Sequence, residues 1–371
     1  MNSSGVEAVI GILVGLLVYT YFGYPVAIGL LARLRRRRPA EVAWPLPSVS
    51  VCLPVYNGAA YLRPKIASLL AQDYPGPVEI LVYCDGCSDD TEALARALAA
   101  EPAAGGRIRV FASAERSGKP TGLNTLAPAE KGELLLLNDV RQPLSPNAIR
   151  ALATALQDPA VGCATGNLVL TGGAGSGVYW RYENWLRRQE SAFRGVVGMT
   201  GPIAMIRRAD LGPLPADLIL DDVWIPIRLA LAGRRTVLVP EAQAQDAAFP
   251  DEREFQRKVR TLAGNYQIFA RLPRLLVPIA NPIWFETFSH KILRLAAPWF
   301  MAALLLVSIC AARAAGWIAL LLAGQLAFYA TAALGPRLGR LASLPRTFVV
   351  LNLAAVLGLW RFVTGRQRIT W

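Results

Sequence analysis

Glu133-Leu134-Leu135-Leu136-Leu137-Asn138-Asp139, continued by Val140-Arg141-Gln142-Pro143, is the stretch that decides how this chain folds. A run of four leucines cannot lie on a surface. Its length suits a strand covered on both faces, which places it centrally in a sheet. Asp139 then stands at the carboxyl end of that strand. Open α/β sheets bind ligands along this edge, and an aspartate there suits a divalent cation that carries a diphosphate. Alone, Asp139 has two readings, a ligand or a cap for the turn before Pro143.

The pattern on either side predicts strands at Ser48–Leu53, Val78–Tyr83, Arg107–Phe111, Glu133–Asn138, Val161–Leu170 and Thr236–Val239. Helices are predicted at Ala60–Ala71, Asp90–Ala100, Lys119–Leu126 and Pro146–Leu156. Strands alternating with helices imply an α/β domain with a mostly parallel sheet. The Gly-rich stretches Gly172–Gly177 and Gly198–Gly201 are expected as loops.

The chain has 371 residues, 54% of them hydrophobic, too apolar for an ordinary soluble enzyme. The excess lies at the ends. Val6–Leu31 is long enough to span a bilayer, and with no basic stretch before it, it is not expected to be a cleaved signal. Arg33 and Arg35 to Arg38 follow, so the chain beyond them is expected on the cytoplasmic side. Leu295–Ala312 and Gly316–Leu334 are expected to span; Phe348–Val363 is read either as a third span or, favoured because it keeps Arg366 and Arg368 inside, as a re-entrant or interfacial segment. Asp251–Arg274 and the aromatic stretch Ala280–Leu293 are expected as two interfacial helices. The expected organisation is a membrane helix over 1–32, a basic linker over 33–46, a catalytic domain over 47–250, interfacial helices over 251–294 and a membrane region over 295–371. The net charge of +13 is accounted for by arginines beside membrane segments, which implies lipid contact rather than nucleic acid. Cys84 and Cys87 have the spacing of half a zinc site, but no second pair follows and His290 is the only histidine, so zinc is not expected.

Five short motifs fall in order along the predicted sheet edge: Pro54-Val55-Tyr56-Asn57, Asp85-Gly86, Ser117-Gly118-Lys119 with Asn124, Asp139, and Asp221-Asp222. Each is weak alone. Gly118 lets backbone approach a ligand and Lys119 offers a cation to phosphate. Asp221 and Asp222 either cap the following helix or supply a base. Taken together they resemble the membrane-bound family-2 glycosyltransferases, inverting enzymes with a nucleotide-sugar transferase (GT-A type) domain, and the resemblance covers essentially the whole chain. It implies that Pro54, Tyr56, Asn57, Asp85, Lys119, Asn124, Arg257 and Arg260 contact the nucleotide-sugar donor, a UDP-sugar. It implies Asp139 as metal ligand for Mg2+ or Mn2+, Asp222 as general base with Asp221 as second choice, and Gly198, Thr200 and Gly201 beside the acceptor. The acceptor is a saccharide or a lipid-linked glycan at the inner face of the plasma membrane, in exopolysaccharide or envelope synthesis, with export or synthase subunits as possible partners.

The sequence departs from that pattern at five places. Gly58 follows Asn57 where the family often has an acid, Cys84 stands where the uridine motif has its first acid, Arg141 where a second metal-binding aspartate is expected, and Arg257 and Thr261 where chain-elongating members carry glutamine and tryptophan. Arg141 is accordingly expected either to leave Asp139 alone on the cation or to replace part of the cation's charge. Trp180, Tyr182, Trp185 and Arg188 are read either as a sugar platform or as helix core. Two rival functions remain, a membrane-anchored nucleotide-sugar-binding protein without turnover and a polyprenyl-phosphate sugar transferase.

Overall fold

The computed structural model describes residues 3–35, 46–171, 177–247 and 251–367. The chain forms two compact units. One is built on Ala32–Ala248 with Ile279–Ile283, and the other gathers Met1–Leu31, Phe249–Pro278 and Trp284–Gln367. Arg36, Arg37 and Arg38 of the expected linker, and all of the Gly172–Gly177 loop except Gly177, lie outside the described residues.

The first unit is a seven-stranded sheet: β1 (Val49–Val55), β2 (Val78–Asp85), β3 (Ile108–Ser113), β4 (Leu134–Asn138), β5 (Val161–Thr171), β6 (Ile203–Arg207) and β7 (Arg235–Ala247). Their order is β3-β2-β1-β4-β6-β5-β7. Only β6 runs against its neighbours. The four leucines of β4 are at most 4% exposed, as their run predicts. Leu134 and Leu136 join the large core cluster with Val51, Leu53 and Leu62, while Leu135 and Leu137 are buried too. The chain winds outward from β1 to β3, then returns to β4 on the other side of β1. The crevice past Val55 and Asn138 is therefore the topological switch point, where such sheets take ligands.

Two differences from the expected elements have physical causes. β6 was not expected: its apolar run, Ile203-Ala204-Met205-Ile206, is too short to show a period. β7 continues eight residues past Val239 because the ladder with β5 shifts register between Thr165 and Asn167, where Leu238 and Gln243 are the partners. Pro240 sits inside that irregularity, where its missing N–H is tolerated.

Among the described residues four helices are long and apolar enough to cross a membrane: Ser4–Leu34, Trp284–Ala311, Gly316–Ala333 and Ser343–Val363. The aromatic stretch expected as a separate interfacial helix is the start of the second, which runs without a break from Trp284. The last is an unbroken helix of 21 residues, so no re-entrant turn interrupts it. π-Helical turns at Tyr19–Gly23 and Thr287–Ile292 meet through Tyr19 Oη and Ser289 Oγ at 2.9 Å. His290 is buried in the second unit, its ring 6.2 Å from that of Tyr24.

Candidate active site

β2 ends on Asp85, and the loop after β3 wraps around it. Asp85 Oδ1 accepts from the Ser117 backbone N–H at 2.7 Å and from Ser117 Oγ at 3.0 Å; Oδ2 accepts from the Gly118 N–H at 2.8 Å. Charged acceptors make the stronger hydrogen bonds, so this 4%-exposed carboxylate fixes the loop. Gly86 permits the close passage: its φ is +61°, and a Cβ there would stand 2.5 Å from the Arg116 backbone nitrogen. Gly118, also at positive φ, turns the chain into the helix Lys119–Leu126.

That turn aims Lys119 at the ends of β4 and β6. Its Nζ lies 2.8 Å from Asp139 Oδ1, 3.3 Å from Asp221 Oδ2 and 3.3 Å from the Gly201 carbonyl. Burial works against the charge on Lys119, but Asp139, Asp221 and Asp222 outweigh it and hold its pKa above the ordinary lysine value. Asp221 and Asp222 open the helix Asp221–Leu231, whose amino terminus favours negative charge. The two acids differ. Asp221 is buried and faces the lysine, whereas Asp222 is half-buried. A methyl group on Gly201 would stand 3.8 Å from Asp222 Oδ2 and 3.9 Å from Asp139 Oδ2. Glycine thus keeps open the space that both carboxylates border.

The other expected donor residues divide. Tyr56 is 38% exposed and carries the Arg116 guanidinium 3.6 Å from its ring centroid. Pro54 lies under Gly122 of the Lys119 helix. Asn57 is held at φ +46° and exchanges hydrogen bonds with Ser88, tying two loops together. Asn124 donates to the Leu214 carbonyl at 2.8 Å and accepts from the Leu214 N–H at 2.9 Å, so it anchors the segment leading to Asp221. Arg257 and Arg260 lie on the helix Asp251–Arg271, within the unit that gathers the apolar helices. Around the expected acceptor loop, the Met199 N–H donates to the Asp222 carbonyl, and Thr200 bonds to Thr165 and to the Gly166 carbonyl. Of the residues read either as a sugar platform or as helix core, Trp180 packs on the core and donates to the Leu168 carbonyl, and Trp185 is 42% exposed.

Four residues bearing on the site escaped the sequence reading. Arg116 sits in a loop with no periodic signal. Arg187 donates to the Gly198 carbonyl and to Thr200 Oγ1; burial lowers its pKa, against the pull of Glu190, Glu183 and Asp222. Lys65 shares the buried helix face of Leu62, Ile66 and Leu69 and donates to the Gln142 carbonyl. Burial pushes its pKa down to about 7. A lysine on an apolar stripe was a legible signal. Asp246 is the fourth.

Asp246, with a side chain 4% exposed, is ion-paired with Arg141 and accepts from Gln142 Nε2 at 2.8 Å. Of the two expectations for Arg141, neither is decided by this contact, which engages its guanidinium with a buried acid on β7. Arg141→Asp is therefore expected to put two acids together rather than to rebuild a two-aspartate metal motif. Breaking a buried pair costs about 3–5 kcal/mol. The variant should melt well below wild type, and Arg141→Asp with Asp246→Asn should recover part of the loss.

Among the described residues no group of three metal-ligating side chains stands ready. Yet three carboxylates from two segments already surround a cation, the Lys119 ammonium. Such a site suits a divalent ion that arrives with a diphosphate, held by one or two carboxylates and completed by phosphate oxygens. Asp139 and Asp222, bordering the space at Gly201, are the protein oxygens in reach of it.

Comparison with known proteins agrees with this architecture. A family model described as glycosyl transferase family 2 matches residues 50–212, and one described as glycosyl transferase family group 2 matches residues 141–332, half of the chain. An N-acetylglucosaminyltransferase of Mesorhizobium japonicum is 33% identical over 220 residues, covering 54% of this chain and 51% of that protein. One from Azorhizobium caulinodans is 28% identical over 267 residues, 66% of each. The chain thus spans about half to two-thirds of the length of these relatives. Among solved structures, the mannosyltransferase PcManGT from Pyrobaculum calidifontis, in complex with GDP-Man and Mn2+, superposes with a TM-score of 0.77. At 23% identity it covers 96% of this chain and 99% of its own, and it shows the shared GT-A fold.

Proposed function

The chain belongs to glycosyl transferase family 2, and from that premise we propose that it transfers a sugar with inversion from a UDP-sugar to a saccharide or lipid-linked acceptor. The observation that carries this reading is the cluster of Lys119, Asp139, Asp221 and Asp222 at the switch point of the sheet. Asp222, the more accessible acid beside the open space at Gly201, removes the proton from the attacking hydroxyl. The hydroxyl oxygen attacks the anomeric carbon in line, and the bond to the diphosphate breaks on the opposite face. Lys119 balances charge on the leaving group, and Asp221 keeps the lysine in place. A divalent cation bound with the donor through Asp139 would add Lewis-acid stabilisation there. Tyr56 and Arg116 frame the nucleoside end, and Asp85 acts by fixing the loop that carries Lys119. Gly198, Thr200 and Gly201 border the acceptor, with Arg187 setting their position. Catalysis takes place at the inner face of the plasma membrane, to which the four apolar helices hold the enzyme.

The names of the relatives make UDP-N-acetylglucosamine the first donor to test, with other UDP-sugars and GDP-mannose beside it. The purified full chain should release UDP in the presence of Mg2+ or Mn2+ and yield a product one sugar heavier than the acceptor. Partition of that product into organic solvent identifies a lipid-linked acceptor. Equal, slow nucleotide release by wild type and Asp222→Asn with every donor would leave only nucleotide-sugar binding.

A further inference from the structure

Along one face of the helix Ala59–Leu70, and just past its end, the polar side chains of Lys65, Ser68 and Gln72 hold the segment that leads away from Asp139. Ser68 Oγ accepts from the Leu144 N–H at 3.3 Å. Gln72 donates to the Ser145 carbonyl at 2.9 Å and accepts from the Ile149 N–H at 3.0 Å. Nearest Asp139 the tether is Lys65, which donates to the Gln142 carbonyl. Val140 packs here as well: a Cβ on Gly58, just before the helix, would stand 3.1 Å from Val140 Cγ1. Residues at spacings of three and four share a helix face, so the three tethers form one row. Two of them are neutral. The one closest to Asp139 is a lysine, and it is 0% exposed.

Packing alone does not account for a lysine at that place. Burial lowers its pKa, and the Asp139 carboxylate pulls the other way. Among the described residues its side chain has the Gln142 carbonyl as hydrogen-bond partner and no carboxylate at ion-pair distance. Further polar atoms without partners among the described residues lie at the same strand end: Nδ2 and Oδ1 of Asn138, which is 0% exposed, and Oε1 of Gln142. Leu134 and Leu136 of β4 share a core cluster with Leu62, Ile66 and Leu69 of the helix, and alternation turns Asn138 to that same face. Buried polar groups short of partners cost stability. What a protonated lysine supplies in return is a charge-assisted hydrogen bond, about twice as strong as a neutral one. Gln142, which receives it, is held a second time: its Nε2 donates at 2.8 Å to Asp246, the acid paired with Arg141. The turn directly behind Asp139 is thus gripped by the helix from one side and by β7 from the other. We propose that Lys65 is a positioning residue for Asp139: by clamping the turn over 140–142 it fixes where that carboxylate stands, and so how tightly the divalent cation is held. This rests on the reading of Asp139 as the cation's protein ligand.

The test reads binding rather than turnover: the dissociation constant of Mn2+ for the purified full chain at saturating UDP, followed by water-proton relaxation. Groups behind a metal ligand typically govern about 10- to 100-fold of metal affinity, so Lys65→Met should weaken Mn2+ binding about tenfold. Lys65→Gln keeps a neutral N–H donor and should fall between that variant and wild type; it serves if the methionine variant does not fold. Ser68→Ala, one turn further along the same row, should lower the melting temperature and leave Mn2+ affinity unchanged. Asp139→Asn removes the ligand itself, and in its background Lys65→Met should weaken Mn2+ no further, since residues acting through one another do not add. Mn2+ affinity unchanged or tighter in the Lys65 variants would overturn the proposal. So would an equal loss in Ser68→Ala, or a full further loss in the Asp139→Asn background. If Asp139→Asn binds Mn2+ as wild type does, the reading of Asp139 as ligand fails and the proposal falls with it. If Asp139→Asn weakens Mn2+ and the Lys65 variants do not, only the role of Lys65 is lost.

Discussion

Asp222→Asn is expected to lower turnover by about two to four orders of magnitude, the usual size of a lost general base, while donor affinity stays near that of wild type. Asparagine keeps the shape and can still hydrogen-bond an acceptor hydroxyl, but it cannot take the proton. The backbone role of Asp222, accepting from the Met199 N–H at 2.8 Å, is untouched by the change. Asp221→Asn separates the roles of the two acids. Asp221 faces Lys119 at 3.3 Å and is buried, so its loss should act on donor binding through a displaced lysine and raise KM more than it lowers kcat. The measurement is steady-state UDP release over a range of donor concentrations, with donor affinity determined separately by calorimetry. If Asp221→Asn abolishes turnover at saturating donor while Asp222→Asn spares it, the assignment of the base is reversed.

Much of this site was legible in the amino-acid sequence because strand ends are legible. The leucine run fixed β4 and hence the position of Asp139, and the acids at Asp221-Asp222 announced a helix start. The uses of Asp85, Asn57 and Asn124 were not legible. Each was read as facing a ligand, and each in addition ties another segment of the chain: Ser117-Gly118, Ser88 and Leu214. A short polar side chain at a sheet edge serves a ligand or a loop equally well, and only the fold says which loop lies opposite. The contact of Arg141 was hidden for the same reason. Its partner Asp246 is more than a hundred residues away, on the part of β7 that Pro240 had hidden from the reading. Lys65, by contrast, was legible and passed over, since a lysine in register with Leu62, Ile66 and Leu69 must find a buried acceptor.

Lys119→Met should reduce kcat/KM by about two to three orders of magnitude, the range seen when one charge-stabilising donor is removed from a site of this kind. The more telling effect is expected without any donor. In wild type the ammonium stands 2.8 Å from Asp139 and 3.3 Å from Asp221, filling the place a cation would take between them. The methionine fills a similar volume but carries no charge, so like charges are left facing one another in a largely buried site. Such a pair is relieved either by taking up a proton or by binding a cation. Lys119→Met should therefore bind Mn2+ more tightly than wild type in the absence of nucleotide, while catalysing poorly in its presence. Adding Asp139→Asn to that variant should return Mn2+ affinity toward the wild-type value. Water-proton relaxation on titrating Mn2+ reads this directly and is independent of turnover. Were the metal affinity of Lys119→Met unchanged or lower, the lysine would not be standing in for a cation, and Asp139 would lose its place as the metal's protein ligand. If instead affinity rises and activity falls together, Lys119 excludes metal until a donor diphosphate draws the ammonium away from Asp139, and the order of binding is fixed with cation and donor entering as one.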